Sequence, residues 1–145
     1  MDESKGKIID LHKIIDPRGN LTFVEECRDV PFNVSRVYWV YDVPAGESRG
    51  GHSHKHCKEL LIAISGSFTV SLDDGKTLDK ILLNHPYQGL LIENGVWRTL
   101  DDFSSGAVCL VLASDYFEED DYIRKYDEFL KDQEFKTLNL VDYKI

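Results

Sequence analysis

The fold this sequence predicts is an all-β barrel or jelly roll followed by one short C-terminal α-helix. Three observations carry that expectation. Roughly ten short segments, alternating in polarity or rich in β-branched and aromatic residues, follow one another at regular spacing. Turn signals punctuate them, among them Asp16-Pro17-Arg18-Gly19, Asp74-Gly75 and Glu93-Asn94-Gly95. Helical periodicity appears only once, late in the chain, and many short strands with one late helix suit a closed antiparallel β architecture.

Taken in order, Ile8 to Ile15 mixes apolar and polar residues up to the turn at Asp16. Leu21 to Glu25 alternates like a strand, and Pro31-Phe32-Asn33 breaks the pattern. Val34 to Val43 (VSRVYWVYDV) is a strand by composition and ends at Pro44-Ala45-Gly46. Glu59 to Ser65 is apolar and strand-like, Gly66 turns the chain, and Ser67 to Leu72 alternates with period two. Asp74-Gly75 then predicts a hairpin with Thr77 to Leu83 as the return strand. Leu90-Leu91-Ile92, Val96 to Leu100 and Ala107 to Ala113 complete the strands. From Glu118 to Lys131, Tyr122, Ile123, Tyr126, Phe129 and Leu130 recur at three- and four-residue spacing. That predicts an amphipathic helix capped by Asp115, with the acidic run Glu118 to Asp121 solvated at its positive end. Thr137 to Ile145 reads as weakly strand-like or disordered.

Composition narrows the function. The chain has 145 residues, 42% hydrophobic and 30% charged, which bounds it to one domain with a real core. A net charge of −9 argues against a nucleic-acid partner. An anionic small ligand would need local arginines, and Arg18, Arg36, Arg49 and Arg98 are the candidates. No apolar run approaches the ~18–20 residues of a membrane span, and the start lacks the apolar core of a secretory signal. Cys27, Cys57 and Cys109 are odd in number and unpatterned, which suits a reducing compartment. A cytoplasmic protein is expected, with no membrane and no nucleic acid among its partners.

Chemistry concentrates between Gly46 and Gly66. This stretch holds His52, His54 and His56, together with Arg49 and Glu59. On a strand, residues two apart share a face, so His52 and His54 reach one pocket if that face is interior. Such a pair suits either a metal site or a general base. As bases near neutral pH, histidines suit abstraction of a carbon-bound proton next to a carbonyl. Arginine or tyrosine donors would stabilise the enolate, and Tyr38 and Tyr41 on the preceding strand are candidates.

The spacing Gly46-x5-His52-x-His54-x4-Glu59-x6-Gly66 resembles the first motif of the cupin superfamily. Metal-binding members use those two histidines and the glutamate as ligands, with a third histidine from a P-x-G-x-x-H motif. The equivalent here is Glu93-Asn94-Gly95-Val96-Trp97-Arg98, where arginine stands in the histidine's place. A guanidinium keeps its proton and repels a divalent ion. The expected site is therefore metal-free, with Glu59 as partner to Arg98 or Lys58 or as orienter of a histidine.

Further stretches resemble one cupin family, the 3,4-ketoisomerases of thymidine-diphosphate-linked 4-keto-6-deoxyglucose. They include Asp16-x-Arg18-Gly19-x-Leu21, Arg36-Val37-Tyr38, Arg49-Gly50-x-His52-x-His54-Lys55, Leu72-Asp73-Asp74-Gly75 and Val96-Trp97. Asp102-Phe103-Ser104, Val111-Leu112-Ala113-Ser114-Asp115-Tyr116 and Asp121-Tyr122-Ile123-Arg124 extend the likeness. It covers roughly residues 8 to 130 of a single cupin domain, 1–145. The Asp16 stretch is also similar to deoxysugar 3,5-epimerases.

The resemblance implies an isomerase with no metal or cofactor, working through an enediol on dTDP-4-keto-6-deoxy-D-glucose. Its 3-keto product would feed 3-amino-deoxysugar synthesis for surface polysaccharide. His54 would take the carbon-3 proton and return it at carbon 4, and His52, helped by Tyr38, would shuttle the oxygen-bound proton. Arg49, Arg18, Arg98, Trp97 and Glu59 would bind substrate. Arg98 leans toward a gluco-configured product. The family forms homodimers with exchanged strands, so Arg18 could act across an interface. The alternatives are a metal-dependent cupin dioxygenase, or a nucleotide-sugar-binding or 3,5-epimerase relative.

Overall fold

The structure is a computed structural model that describes residues 4–143, with side chains described through residue 138. In chain order its elements are β1 (Gly6–Asp10), β2 (His12–Ile14), β3 (Leu21–Phe23), β4 (Arg36–Val40), β5 (Arg49–His54) and β6 (Glu59–Ser65). There follow β7 (Phe68–Asp73), β8 (Leu78–Leu83), β9 (Gln88–Ile92), β10 (Trp97–Asp101) and β11 (Val108–Ala113). A 3₁₀ turn (Glu119–Asp121), β12 (Tyr122–Ile123) and α1 (Tyr126–Tyr143) complete the chain. Two five-stranded sheets, β1-β9-β6-β11-β4 and β12-β5-β10-β7-β8, form a jelly roll, and β2 and β3 make a separate hairpin. Every paired strand is antiparallel.

Alternation explains which residues fill the space between the sheets. Leu61 and Ala63 from one sheet meet Phe68, Val70, Leu72 and Leu100 from the other, with Leu90, Ile92, Cys109 and Val111. A second apolar layer lies on the outer side of the first sheet, where Leu60, Ile62 and Leu91 pack with Leu11 and Val30. β6 is therefore buried on both faces along Glu59 to Ala63. That is why it reads as a continuous apolar run and not as an alternation. At the β7–β8 hairpin the Asp74 carboxylate accepts the backbone N–H groups of Lys76 and Thr77, each at 2.8 Å. The turn signal at Asp74-Gly75 is thereby satisfied in structure.

The C-terminal region departs from expectation. The helix does not begin at Glu118, and Asp115 caps nothing: its carboxylate accepts the Ser114 hydroxyl at 2.8 Å. Tyr122 and Ile123, two residues of the supposed helical stripe, instead extend the second sheet by pairing with His54 and Ser53. α1 starts only at Tyr126 and runs 18 residues, through the segment expected to be strand-like or disordered. Residues 144 and 145 lie outside the described residues. Tyr126 and Phe129 seat the helix against Trp97, at ring-centroid distances of 5.3 and 5.7 Å. Among the described residues no helix is long and apolar enough to cross a membrane.

Candidate active site

A cavity of about 440 Å³ opens between the two sheets. Its walls follow from register. In the first sheet Arg36 sits opposite Ala113 and Ala113 opposite Glu59; two residues on, Tyr38, Val111 and Leu61 form a parallel row. These residues share parity and face inward together. In the second sheet Arg98 of β10 lies directly opposite His52 of β5. Phe117, Tyr122 and Arg124 close one side from the segment that leads into the helix.

A β-bulge in β5 aims one further residue. Arg98 pairs with His52 but Leu100 pairs with Arg49, so β5 carries one extra residue between those rungs. Gly50 makes the bulge possible with φ of +80°, which a side chain would resist. Without it, alternation from His52 would turn Arg49 outward. With it, Arg49 lines the cavity at its exposed rim.

The deepest part is a connected polar cluster. Arg98 is buried, and its guanidinium donates to Glu59 Oε1 at 2.6 Å and to the Val96 carbonyl at 3.1 Å. The Tyr38 hydroxyl donates a short hydrogen bond to Glu59 Oε2. Burial works against the Glu59 charge, but its polar neighbours, with the Arg98 guanidinium bonded to Oε1 at 2.6 Å, outweigh it and hold the carboxyl at about 2. Burial, and next the Glu59 charge, push the Tyr38 hydroxyl far above its ordinary range, so it stays protonated. Burial, reinforced by the Arg98 guanidinium, pushes His52 down to about 3, so its imidazole is neutral at physiological pH.

The two histidines touch each other. His52 Nε2 lies 3.1 Å from His54 Nε2, and the rings meet nearly at right angles. His54 continues to Asp121, with Nδ1 2.8 Å from Oδ2. Burial disfavours the Asp121 charge, but the His54 and His56 N–H groups outweigh it and keep this carboxyl below its ordinary range. The pair is not equivalent in access. His52 lines the cavity, whereas His54 is fully buried behind it and contributes nothing to the wall. The expectation that His54 meets the substrate and His52 assists is thus reversed in placement.

The other expected site residues divide. Tyr38, Glu59, Arg98, His52 and Arg49 are brought together at one cavity. Trp97 is not: as Arg98's neighbour on a strand it takes the opposite face and packs under α1. Arg18 sits on the β2–β3 connection, 91% exposed and paired with Asp16 at 2.9 Å, at a separate concavity. Tyr41 lies beyond the end of β4 and is exposed. His56 is exposed, and His85 stacks on Tyr87. Cys57 is buried, and burial raises its thiol, which disfavours the nucleophilic thiolate. Asp121, Tyr122, Arg124 and Phe117 were missed, and so was any role for the acidic run beyond a solvated helix start. The signal for Asp121 and its neighbours was the Asp121-Tyr122-Ile123-Arg124 stretch itself, which helical spacing obscured.

The cupin architecture raises the question of a metal. His52, His54 and Glu59 offer ligand atoms within 4.8 Å of one another. They do not fit a divalent ion. Both Glu59 oxygens already accept hydrogen bonds, and a permanent guanidinium charge is locked against one of them. A second cluster of His54, Cys57 and Asp121 shares the same His54, whose Nδ1 is committed to Asp121.

Comparison with known proteins places the chain in a family. The family described as "FdtA: WxcM-like, C-terminal" matches residues 4–134. A TDP-4-oxo-6-deoxy-alpha-D-glucose-3,4-oxoisomerase from Aneurinibacillus thermoaerophilus is 46% identical over 127 residues, covering 88% of this chain and 91% of its own. The solved 3,4-ketoisomerase QdtA from Thermoanaerobacterium thermosaccharolyticum, in complex with TDP, is similar with a TM-score of 0.90 and 38% identity. That match covers 93% of this chain and 98% of QdtA. The TDP-quinovose 3,4-ketoisomerase WlaRB from Campylobacter jejuni is 46% identical with a TM-score of 0.83, over 87% of this chain and 97% of its own.

Proposed function

The chain belongs to the FdtA, WxcM-like family, and on that premise we propose that it carries out its chemistry by proton transfer at His52 in the cavity between its sheets. It is an isomerase, a TDP-sugar 3,4-ketoisomerase acting on TDP-4-keto-6-deoxy-D-glucose. The observation that carries the mechanism is the cavity wall itself, where a neutral His52, the Tyr38 hydroxyl and the Arg98 guanidinium converge.

His52 takes the proton from carbon 3, leaving an enediolate whose charge rests on the carbon-4 oxygen. Arg98, which is buried, and the Tyr38 hydroxyl, which is partly so, stabilise that oxygen. With substrate bound, the Tyr38 hydroxyl turns from Glu59 to the sugar, giving its proton to the carbon-4 oxygen and taking one from the carbon-3 hydroxyl in the same relay. His52 then returns its proton at carbon 4. One hydrogen has moved from carbon 3 to carbon 4 and one from oxygen 3 to oxygen 4, so the ketone has moved without net oxidation. The rim arginines Arg36, Arg49 and Arg124 suit the diphosphate on a chain that is otherwise acidic. Arg18 contacts the nucleotide from a second subunit in an exchanged-strand homodimer. Exposed Val37, Trp39 and Tyr41 beside the edge strand β4, with Ile14, Ile15 and Leu21, supply apolar surface for such an interface. The 3-keto product is a gluco-configured sugar, in keeping with the likeness to a TDP-quinovose enzyme, and passes to an aminotransferase in the cytoplasm.

Incubation with TDP-4-keto-6-deoxyglucose in heavy water tests the reading. Deuterium at carbon 4 of a 3-keto product supports it. Label at carbons 3 and 5 with the ketone in place would make the protein an epimerase, and no label would leave only a binding module. Size-exclusion chromatography with light scattering tests the dimer.

A further inference from the structure

Asp121 sits outside the cavity wall, yet its carboxylate touches the histidine pair that reaches that wall. Each oxygen has a separate duty. Oδ1 accepts the backbone N–H of His56 at 2.7 Å, and Oδ2 lies 2.8 Å from His54 Nδ1. The Asp121 backbone carbonyl also accepts the Lys55 N–H at 2.8 Å, so the residue is clamped to the end of β5 by main chain as well. An ionised carboxylate only accepts, so His54 Nδ1 carries a proton. A His54 ring that carries one proton then has its lone pair on Nε2. Glu59 Oε1, 3.5 Å away, accepts from Arg98 and is too distant to be that nitrogen's main partner. The near neighbour is His52 Nε2 at 3.1 Å, which must therefore donate. His52 Nδ1 is left as the lone-pair nitrogen. Among the described residues it has no hydrogen-bond partner, and it is not among the sealed, unsatisfied atoms of the interior, so it opens to the cavity that His52 lines.

We propose that Asp121 is a positioning residue for the isomerisation, fixing the tautomer of His54 and through it holding the His52 Nδ1 lone pair toward the substrate. This rests on the reading of His52 as the base.

The substitution Asp121→Asn exposes the device because the two oxygens differ. The amide oxygen is retained by the His56 N–H, which turns the NH₂ group toward His54 Nδ1. That nitrogen must then accept, so the His54 proton moves to Nε2 and is donated to His52 Nε2. The His52 proton is displaced to Nδ1, and the cavity-facing lone pair is lost. One atom changed at Asp121 thereby inverts two rings in succession.

The test has two arms. Long-range ¹H–¹⁵N spectra of the unliganded wild-type protein, with His54 assigned by its loss in His54→Gln, should show the Nδ1–H tautomer at His54. The same spectra of Asp121→Asn should show Nε2–H. Steady-state kinetics should show kcat falling on the order of 10³- to 10⁴-fold, as when a buried aspartate orienting a catalytic histidine is amidated, with KM within about threefold. An Nε2–H or doubly protonated His54 in the wild type would overturn the proposal, even if the variant failed to fold. So would an Asp121→Asn kcat within threefold of wild type, or a loss carried by KM. Normal turnover by His52→Asn, with the His54 tautomer as expected, would instead remove the base and leave its orienter without a task.

Discussion

Replacing Arg98 by methionine would leave the Glu59 carboxylate buried without its closest cation. The pair lies at 2.6 Å with both side chains about 1% exposed, and breaking one partner of such a pair costs about 3–5 kcal/mol. The whole Glu59 shift, to which Arg98 is one of several contributors, sets the scale. Glu59 is held at about 2 against an ordinary 4.5, which at about 1.4 kcal/mol per pH unit corresponds to roughly 3 kcal/mol of stabilisation of the charged form. For a chain of this size that is roughly a 10 °C fall in Tm. The pH dependence carries the sign. In the wild type the Glu59 contribution is complete above about pH 4.5 and is lost as pH falls toward 2. In Arg98→Met the buried carboxyl rises above its unfolded value, so the penalty is smallest near pH 4–5 and grows as pH rises. Urea unfolding between pH 4.5 and 8, followed by circular dichroism, reads this directly. The double variant Glu59→Gln/Arg98→Met removes the orphan charge and should recover most of the loss at pH 8. Equal destabilisation at every pH, or a double variant no more stable than the single, would refute the reasoning.

His52→Asn should abolish turnover while TDP still binds with near-normal affinity in calorimetry, since the base is removed and the rim is intact. Tyr38→Phe should lower kcat by roughly 10²- to 10³-fold with little change in KM, because it removes a donor to the developing charge. Arg49→Ala should act the other way, raising KM several-fold and weakening its salt dependence with kcat retained. Extended dialysis against EDTA should leave kcat unchanged, because the Glu59 oxygens are committed to Tyr38 and Arg98; loss of activity restored by a divalent metal would contradict that.

Much of this was legible before any coordinates. Strand composition, the Asp74-Gly75 turn and the H-x-H spacing are local signals, and local signals survive folding. Even the arginine in the place of a third ligand could be weighed, because its charge does not depend on context. Alternation also held information that was not used. Trp97 and Arg98 are consecutive on one strand, so only one could face the cavity. Other features were hidden for physical reasons. Tyr122, Ile123, Tyr126 and Phe129 recur at helical intervals, yet the first two are strand residues and the last two helical, so one periodicity spans two elements. Asp121 sits in an acidic run whose sequence looks solvated, and only the pairing of β12 with β5 buries it against His54. That histidine, not its neighbour, is the withdrawn one because the chain folds a further strand over it.

The extra residue in β5 gives that strand two independent phases. Downstream of Gly50 the alternation is locked by His52 and His54 to the buried cluster, and no slip is tolerated. Upstream, the parity has been reset, so Arg49 faces the cavity out of step with His52 and His54. Substitutions there can re-aim Arg49 at the rim without passing through the rung that holds His52. One glycine thus separates the aim of the rim arginine from the aim of the buried histidines, and Gly50 is the position from which the two can be varied apart.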